Sequence, residues 1–277
     1  MNTVEIITAF NQHDQIPYKA ILSAIEHKQE VTPALLAFFK NTIKNYKAER
    51  EEGPAFLITL ALLAQFREKA AFDDLMTLIN LPEEHVEELL GLFSDELPTF
   101  IVSLYNGDLV SIKAVIENTT LSATVRGAAL NSLLGLFAIE KMSREELVTY
   151  YRSLLTSSLI EDEDFISILI EDIYSLYPTE LQADLLALLA KKPECSLFVT
   201  QESVEELFNE YSQEDHLEAE IYSNIGVLPV YNAIPLIENL YEGDMDEENL
   251  EDFMSTLEID EEEDSCCQDS DKDCCDS

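Results

Sequence analysis

Apolar residues recur along this chain in steps of three and four, the period of helices with one buried face. After Ile16-Pro17, the residues Ile21, Leu22 and Ile25 share one stripe. Thr32-Pro33 predicts a second start, with Thr as N-cap and Pro at the first helical position, ahead of Leu35, Leu36, Phe39, Ile43 and Tyr46. Gly53-Pro54 opens a third helix, which Arg67-Glu68-Lys69 closes. Further stripes follow at Phe72, Leu75, Met76 and Ile79, and, past Leu81-Pro82, at Val86, Leu89, Leu90 and Phe93. Ile101, Val102 and Tyr105 end at Asn106-Gly107, a pair suited to a helix C-terminus.

The clearest unit is Ser122–Leu155. Val125, Ala128, Ala129, Leu133, Leu136 and Phe137 lie on one helix face. Ser143-Arg144-Glu145-Glu146 reads as a capping box before a second stripe at Leu147, Val148, Tyr151, Leu154 and Leu155. The pattern repeats in Phe165, Ile166, Leu169, Ile173 and Leu176, then, after Thr179-Glu180-Leu181-Gln182 as another box, in Leu185, Leu186, Leu188 and Leu189. Thr200 predicts the cap of a helix carrying Val204, Leu207, Phe208 and Tyr211. Leu90-Gly91-Leu92-Phe93 recurs as Leu134-Gly135-Leu136-Phe137, with looser forms at Leu63–Phe66 and Tyr174–Tyr177. The later spacings approach 40 residues, the range of HEAT and armadillo repeats. The expected fold is therefore all-α: HEAT-like helical hairpins forming a short right-handed solenoid over residues 1–241. Pro229 and Pro235 permit only short helices between Asp215 and Tyr241, and that stretch is expected to cap the end of the stack.

From Glu242 the composition changes to 17 acidic residues and one Lys. Such a segment buries too little apolar surface to repay its ordering entropy, so residues 242–277 read as a disordered acidic tail. Leu250, Phe253, Met254 and Leu257 are its one stripe at helical spacing, fit for a last helix on the stack or a docking peptide.

Charge narrows the partners. The formal net charge is −40, from 56 acidic and 16 basic residues. Nucleic acid and anionic lipid both demand clustered Lys and Arg, so both are excluded as partners, and a basic protein or peptide is favoured. The longest apolar stretch, Ala55–Ala64, is half the roughly 20 residues a membrane span needs, and reads as a buried central helix. Met1–Glu5 lacks the basic start and apolar run of a secretion signal. With Cys195 its one thiol, the body reads as cytoplasmic.

Catalytic signatures are missing: no P-loop, no dinucleotide-binding glycine pattern, no nucleophile elbow. His13, His27, His85 and His216 form no pair at metal-binding spacing, and Glu87 and Glu88 beside His85 read as a solvated helix face. Clustered carboxylates such as Glu161–Asp164 suit helix starts and solubility. The tail alone has metal-like composition. Cys266, Cys267, Cys274 and Cys275 could bring four thiolates to zinc or copper(I), although adjacent cysteines chelate less readily than C-x-x-C.

Five segments in order carry a family resemblance: Ile16–Ile21, Val31–Leu36, Ala61–Glu68, Tyr105–Asp108 and Val125–Leu130. The chain resembles a bacterial family catalogued as domain of unknown function 1186. The resemblance implies a HEAT-like α-helical domain of unassigned activity. Some relatives carry a C-terminal SEC-C zinc motif. Cys274-Cys275 matches its ending, but Cys266-Cys267 lacks the intervening residue and the basic Gly-rich turn is absent. The expected function is a non-enzymatic protein-binding scaffold using the concave surface of the stack. Two alternatives stand beside it: a metal- or redox-responsive protein acting through the cysteine tail, and an exported effector of an intracellular bacterium, since Glu258–Asp264 resembles a glutamate-rich secretion signal.

Overall fold

A computed structural model describes residues 1–11, 15–45, 54–91, 94–196, 198–224 and 226–241. The proposed tail, with Cys266, Cys267, Cys274, Cys275 and the Leu250–Leu257 stripe, lies outside the described residues, as does His13. The described residues form fifteen α-helices and no strands. In order they are α1 (Thr3–Ala9), α2 (Tyr18–Glu26), α3 (Lys28–Asn45), α4 (Pro54–Gln65), α5 (Phe72–Ile79), α6 (Glu83–Leu90), α7 (Leu97–Leu104), α8 (Leu109–Glu117), α9 (Ala123–Ala138), α10 (Arg144–Leu155), α11 (Glu163–Ser175), α12 (Gln182–Lys191), α13 (Gln201–Glu210), α14 (Gln213–Leu217) and α15 (Ile234–Asn239).

Four of these build a central row. α4 packs on α7, α7 on α9, and α9 on α11. Their sequences explain why. In α4, every residue from Ala55 to Ala64 is buried except Leu57, which is partly exposed, and all eight residues of α7 are buried. A helix apolar on every side gains from neighbours on every side. The predicted buried helix at Ala55–Ala64 is thus the start of the row. The row helices end at Gln65, Leu104, Ala138 and Ser175, a spacing of roughly 35–40 residues. On one side α3, α5 and α8 pack against the row.

Several predicted boundaries move. α3 begins at Lys28, a turn before Thr32-Pro33, so Pro33 sits inside the helix. Only His27 separates it from α2; the backbone N–H groups of Glu30 and Val31 both donate to the His27 carbonyl, and burial of Val31 and Thr32 fixes this early turn. The box at Thr179–Gln182 does not form. α12 starts at Gln182 with Leu181 in the cap position and no side-chain cap, while Glu180 pairs with Arg144 at 2.7 and 2.9 Å. The box at Ser143 does form, and Thr200 caps α13 as expected, in a box completed by Ser203. The helix α1, absent from the stripe reading, has its own box between Asn2 and Glu5.

Asp215–Tyr241 departs most from expectation. It does not cap the end of the stack. It runs back as a strap along the row, from α11 to α4.

Candidate functional site

The strap starts at α14, where His216 Nε2 lies 2.9 Å from the Tyr174 carbonyl of α11, so this nitrogen carries the donated proton. The imidazole stands edge-on to the Tyr174 ring and beside Tyr177. A π-helical turn, Glu218–Tyr222, then lies on α9, with the Tyr222 ring 6.4 Å from that of Phe137. Beyond it the chain is irregular and is held through its backbone. Thr99 Oγ1 donates to the Gly226 carbonyl, the Val230 N–H donates to Ser103 Oγ at 2.8 Å, and the Ala233 N–H donates to Gln65 Oε1 at 2.9 Å. Val227, Val230, Ala233 and Ile237 are buried against the row. α15 ends the crossing on α4, where Tyr18 donates to Glu238 at 2.8 Å. Burial and the Glu238 carboxylate together push the Tyr18 phenol well up.

Gly135 makes this crossing possible. A Cβ there would stand 2.0 Å from the Val227 carbonyl oxygen and 2.7 Å from Val102 Cγ2. The neighbour is backbone, so it cannot rotate away. Gly135→Ala gains helix propensity in α9 but is expected to lose about 1–3 kcal/mol to overpacking. Amide exchange checks this: protection at Val230 and Ala233 falls at least about tenfold while the N-terminal half of α9 is unchanged. Unaltered exchange along the strap would refute it. The other glycine of the sequence repeat, Gly91, plays a different part and ends α6 with φ +49°. The two marks are not equivalent positions of one repeat.

Where the strap passes the C-terminal ends of α4, α7 and α9, a cavity of about 440 Å³ opens. Its walls are Val102, Tyr105, Ile139, Pro229 and Tyr231, and its cations are Arg67, Lys69 and Lys141. Arg67 has φ +56° and is half-buried. Its Nη1 donates to Ser103 Oγ at 3.0 Å and to the Ala64 carbonyl, and its guanidinium faces the Tyr231 ring at 5.1 Å. Burial lowers its pKa from the ordinary arginine value, with Tyr231 acting the other way.

Two further clefts lie along α8, α10 and α12. A cleft of about 360 Å³ between α8 and α10 is lined by Lys113, Glu145, Glu146, Thr149 and Tyr150. A second, of about 210 Å³ between α10 and α12, is lined by Arg152, Leu155, Asp184, Ala187 and Lys191. Lys113 lies over the Tyr150 ring at 4.3 Å, and Tyr150 donates to Glu117.

Inside the stack, Asp172 of α11 is buried and accepts from Tyr151 of α10 at 2.9 Å and from Asn131 of α9. Burial raises its carboxyl to about 7, against the lowering effect of both donors. Sequence reading missed this group, because an acid inside Glu171-Asp172 looks like its many exposed neighbours.

The remaining candidates gather into nothing larger. Cys195 is buried, and burial pushes its thiol up, away from the reactive thiolate. His85 lies 3.8 Å from Glu84 and His27 3.8 Å from Glu26. Among the described residues, no three His, Cys, Asp or Glu side chains are placed to hold a metal. No helix among them is long and apolar enough to cross a membrane.

Comparison with known proteins gives kinship without chemistry. An uncharacterised protein of Chlamydia trachomatis serovar D is 27% identical over 201 residues, 71% of this chain and 80% of that protein. One of Chlamydia muridarum is 26% identical over 217 residues, 77% of this chain and 86% of the other. No solved structure matches the chain. The matched family reaches to within two residues of the strap's end, so the row, the strap and the cationic cavity all fall inside it. With residues 1–239 matching its model, the chain belongs to the protein family of unknown function DUF1186.

Proposed function

We propose that the protein is a non-enzymatic, cytoplasmic binding scaffold: a short HEAT-like solenoid whose second-helix face, formed by α8, α10 and α12, takes a protein or peptide partner. The observation carrying this reading is the pair of neighbouring clefts on that face, about 360 and 210 Å³, which share α10 and mix apolar floor with charged rim. The row of α4, α7 and α9 is covered by the chain's own strap, whereas the two clefts are lined by none of the strap's residues. Helical-repeat surfaces hold extended segments in this way, with side chains reading backbone and a few pockets giving specificity. The overall charge of −40 favours a basic partner and speeds its approach. A zinc- or redox-responsive tail built on Cys266, Cys267, Cys274 and Cys275 is a separate proposal, resting on their spacing in the sequence.

Selection of peptides from a random display library against the full chain tests the scaffold. The surface variant Thr149→Arg with Ala187→Arg changes two exposed residues, one in each cleft. Selected peptides are expected to bind the native chain and to lose at least about tenfold in affinity for the variant, the size of one central contact. Failure to enrich any saturable binder, or equal binding to the variant, rejects the second-helix face.

A further inference from the structure

We infer that the cavity beside Arg67 is a binding site for a small organic anion, one with an apolar body and a carboxylate or phosphate head. In a chain with 56 acidic and 16 basic residues, three cations lining one cavity stand out. Arg126, Arg144, Arg152 and Lys40 each have a carboxylate within 3.6 Å. Arg67, Lys69 and Lys141 converge on a single cavity, and among the described residues none of the three has a carboxylate at ion-pair distance. Three cations without a carboxylate at ion-pair distance thus meet at one concave place.

Geometry adds a built arginine. Ser103 Oγ and the Ala64 carbonyl fix Nη1, Tyr231 covers one face, and Nε and Nη2 keep no partner among the described residues. An anchored guanidinium fork recognises an oxyanion at small entropic loss. Val102, Ile139 and Pro229 supply an apolar wall, and about 440 Å³ suits a small ligand. The strap provides Pro229 and Tyr231, so the site exists only in the folded-back chain. Cations near helix C-terminal ends also complement helix dipoles. That role alone predicts no saturable binding, which is what separates the two.

Calorimetric titration of the full chain with phenyl phosphate, phenylacetate and the uncharged phenylacetamide reads the site directly. At least one anion is expected to saturate one site and weaken as salt rises, and the amide is expected not to bind. Phosphate preferred over carboxylate means that the lysines contribute as much as Arg67; the reverse means that the guanidinium fork contributes more than they do. Arg67→Gln is expected to weaken the anion at least about tenfold. Should that variant unfold, Lys69→Gln with Lys141→Gln, at two exposed side chains, replaces it and weakens binding several-fold. No saturable anion, equal binding of the amide, or full affinity in the folded variants overturns the inference. The second-helix variant bears on none of these outcomes, so the two readings fail separately.

Discussion

Arg126→Ala is expected to lower the unfolding free energy by about 3–5 kcal/mol, among the largest losses a single residue of this chain can produce. Arg126 is 1% exposed and heads the bulkiest fully buried side chains. It ties three helices together. Its Nε donates to the Ile116 carbonyl in the last turn of α8, an acceptor with no partner inside its own helix. Its Nη1 donates at 2.6 Å to Asp162, the N-cap of α11, and its guanidinium lies 4.1 Å over the Phe165 ring. Alanine leaves a cavity against Phe165 and an unpaired carbonyl. The ion pair itself is the smaller part, because Asp162 is 37% exposed and water screens it.

A second substitution separates packing from charge. Nη2 of Arg126 is buried without a partner, a cost the native chain already carries. Arg126→Met removes that cost and keeps most of the volume, so it should lose about half as much as alanine. Asp162→Asn should lose only about 1 kcal/mol, since the cap to the Phe165 N–H survives. Urea unfolding of the three variants orders them Ala, Met, Asn. An alanine variant within about 1 kcal/mol of the native chain would show that α8, α9 and α11 do not depend on this joint.

How far the sequence reaches follows from which contacts are local. Helix stripes depend on period alone, so the buried α4 and the α9–α10 hairpin are legible residue by residue. The box at Ser143 and the cap at Thr200 are equally local. The box at Thr179 fails because α12 begins only at Gln182: the turn before it is closed by the Leu181 N–H on the Pro178 carbonyl and tied to Arg144, 36 residues away in sequence, through Glu180. The strap is illegible for a related reason. Its hold is a backbone read by Thr99, Ser103 and Gln65, which leaves no period, and Gly135 admits it by having no side chain. The cationic cavity was hidden in plain composition: Arg67-Glu68-Lys69 reads as a helix ending, and Lys141 lies some 70 residues on. The four tail cysteines fall outside the described residues, so the metal expectation stays a matter of their spacing.

Asp172→Asn is expected to remove a pH dependence of roughly 4 kcal/mol. An aspartate in the unfolded chain ionises near its ordinary 3.8, whereas burial raises Asp172 to about 7 in the fold. Between these values the folded state holds a proton that the unfolded state has released. Stability from this group is therefore greatest below about pH 4 and falls as pH rises to about 7, then levels off. Three pH units at about 1.4 kcal/mol each set the size. Asparagine carries no proton to lose. It can accept from the Tyr151 hydroxyl and, once the Asn131 amide turns, donate to that side chain's oxygen, so both links to α9 and α10 survive. The other 55 acidic residues titrate in both proteins, so the difference between the two urea-derived curves from pH 4 to 8 isolates Asp172. That difference should grow in favour of the asparagine variant with rising pH. If it grows in favour of the native chain instead, the carboxylate is ionised in the fold and Tyr151 and Asn131 outweigh its burial.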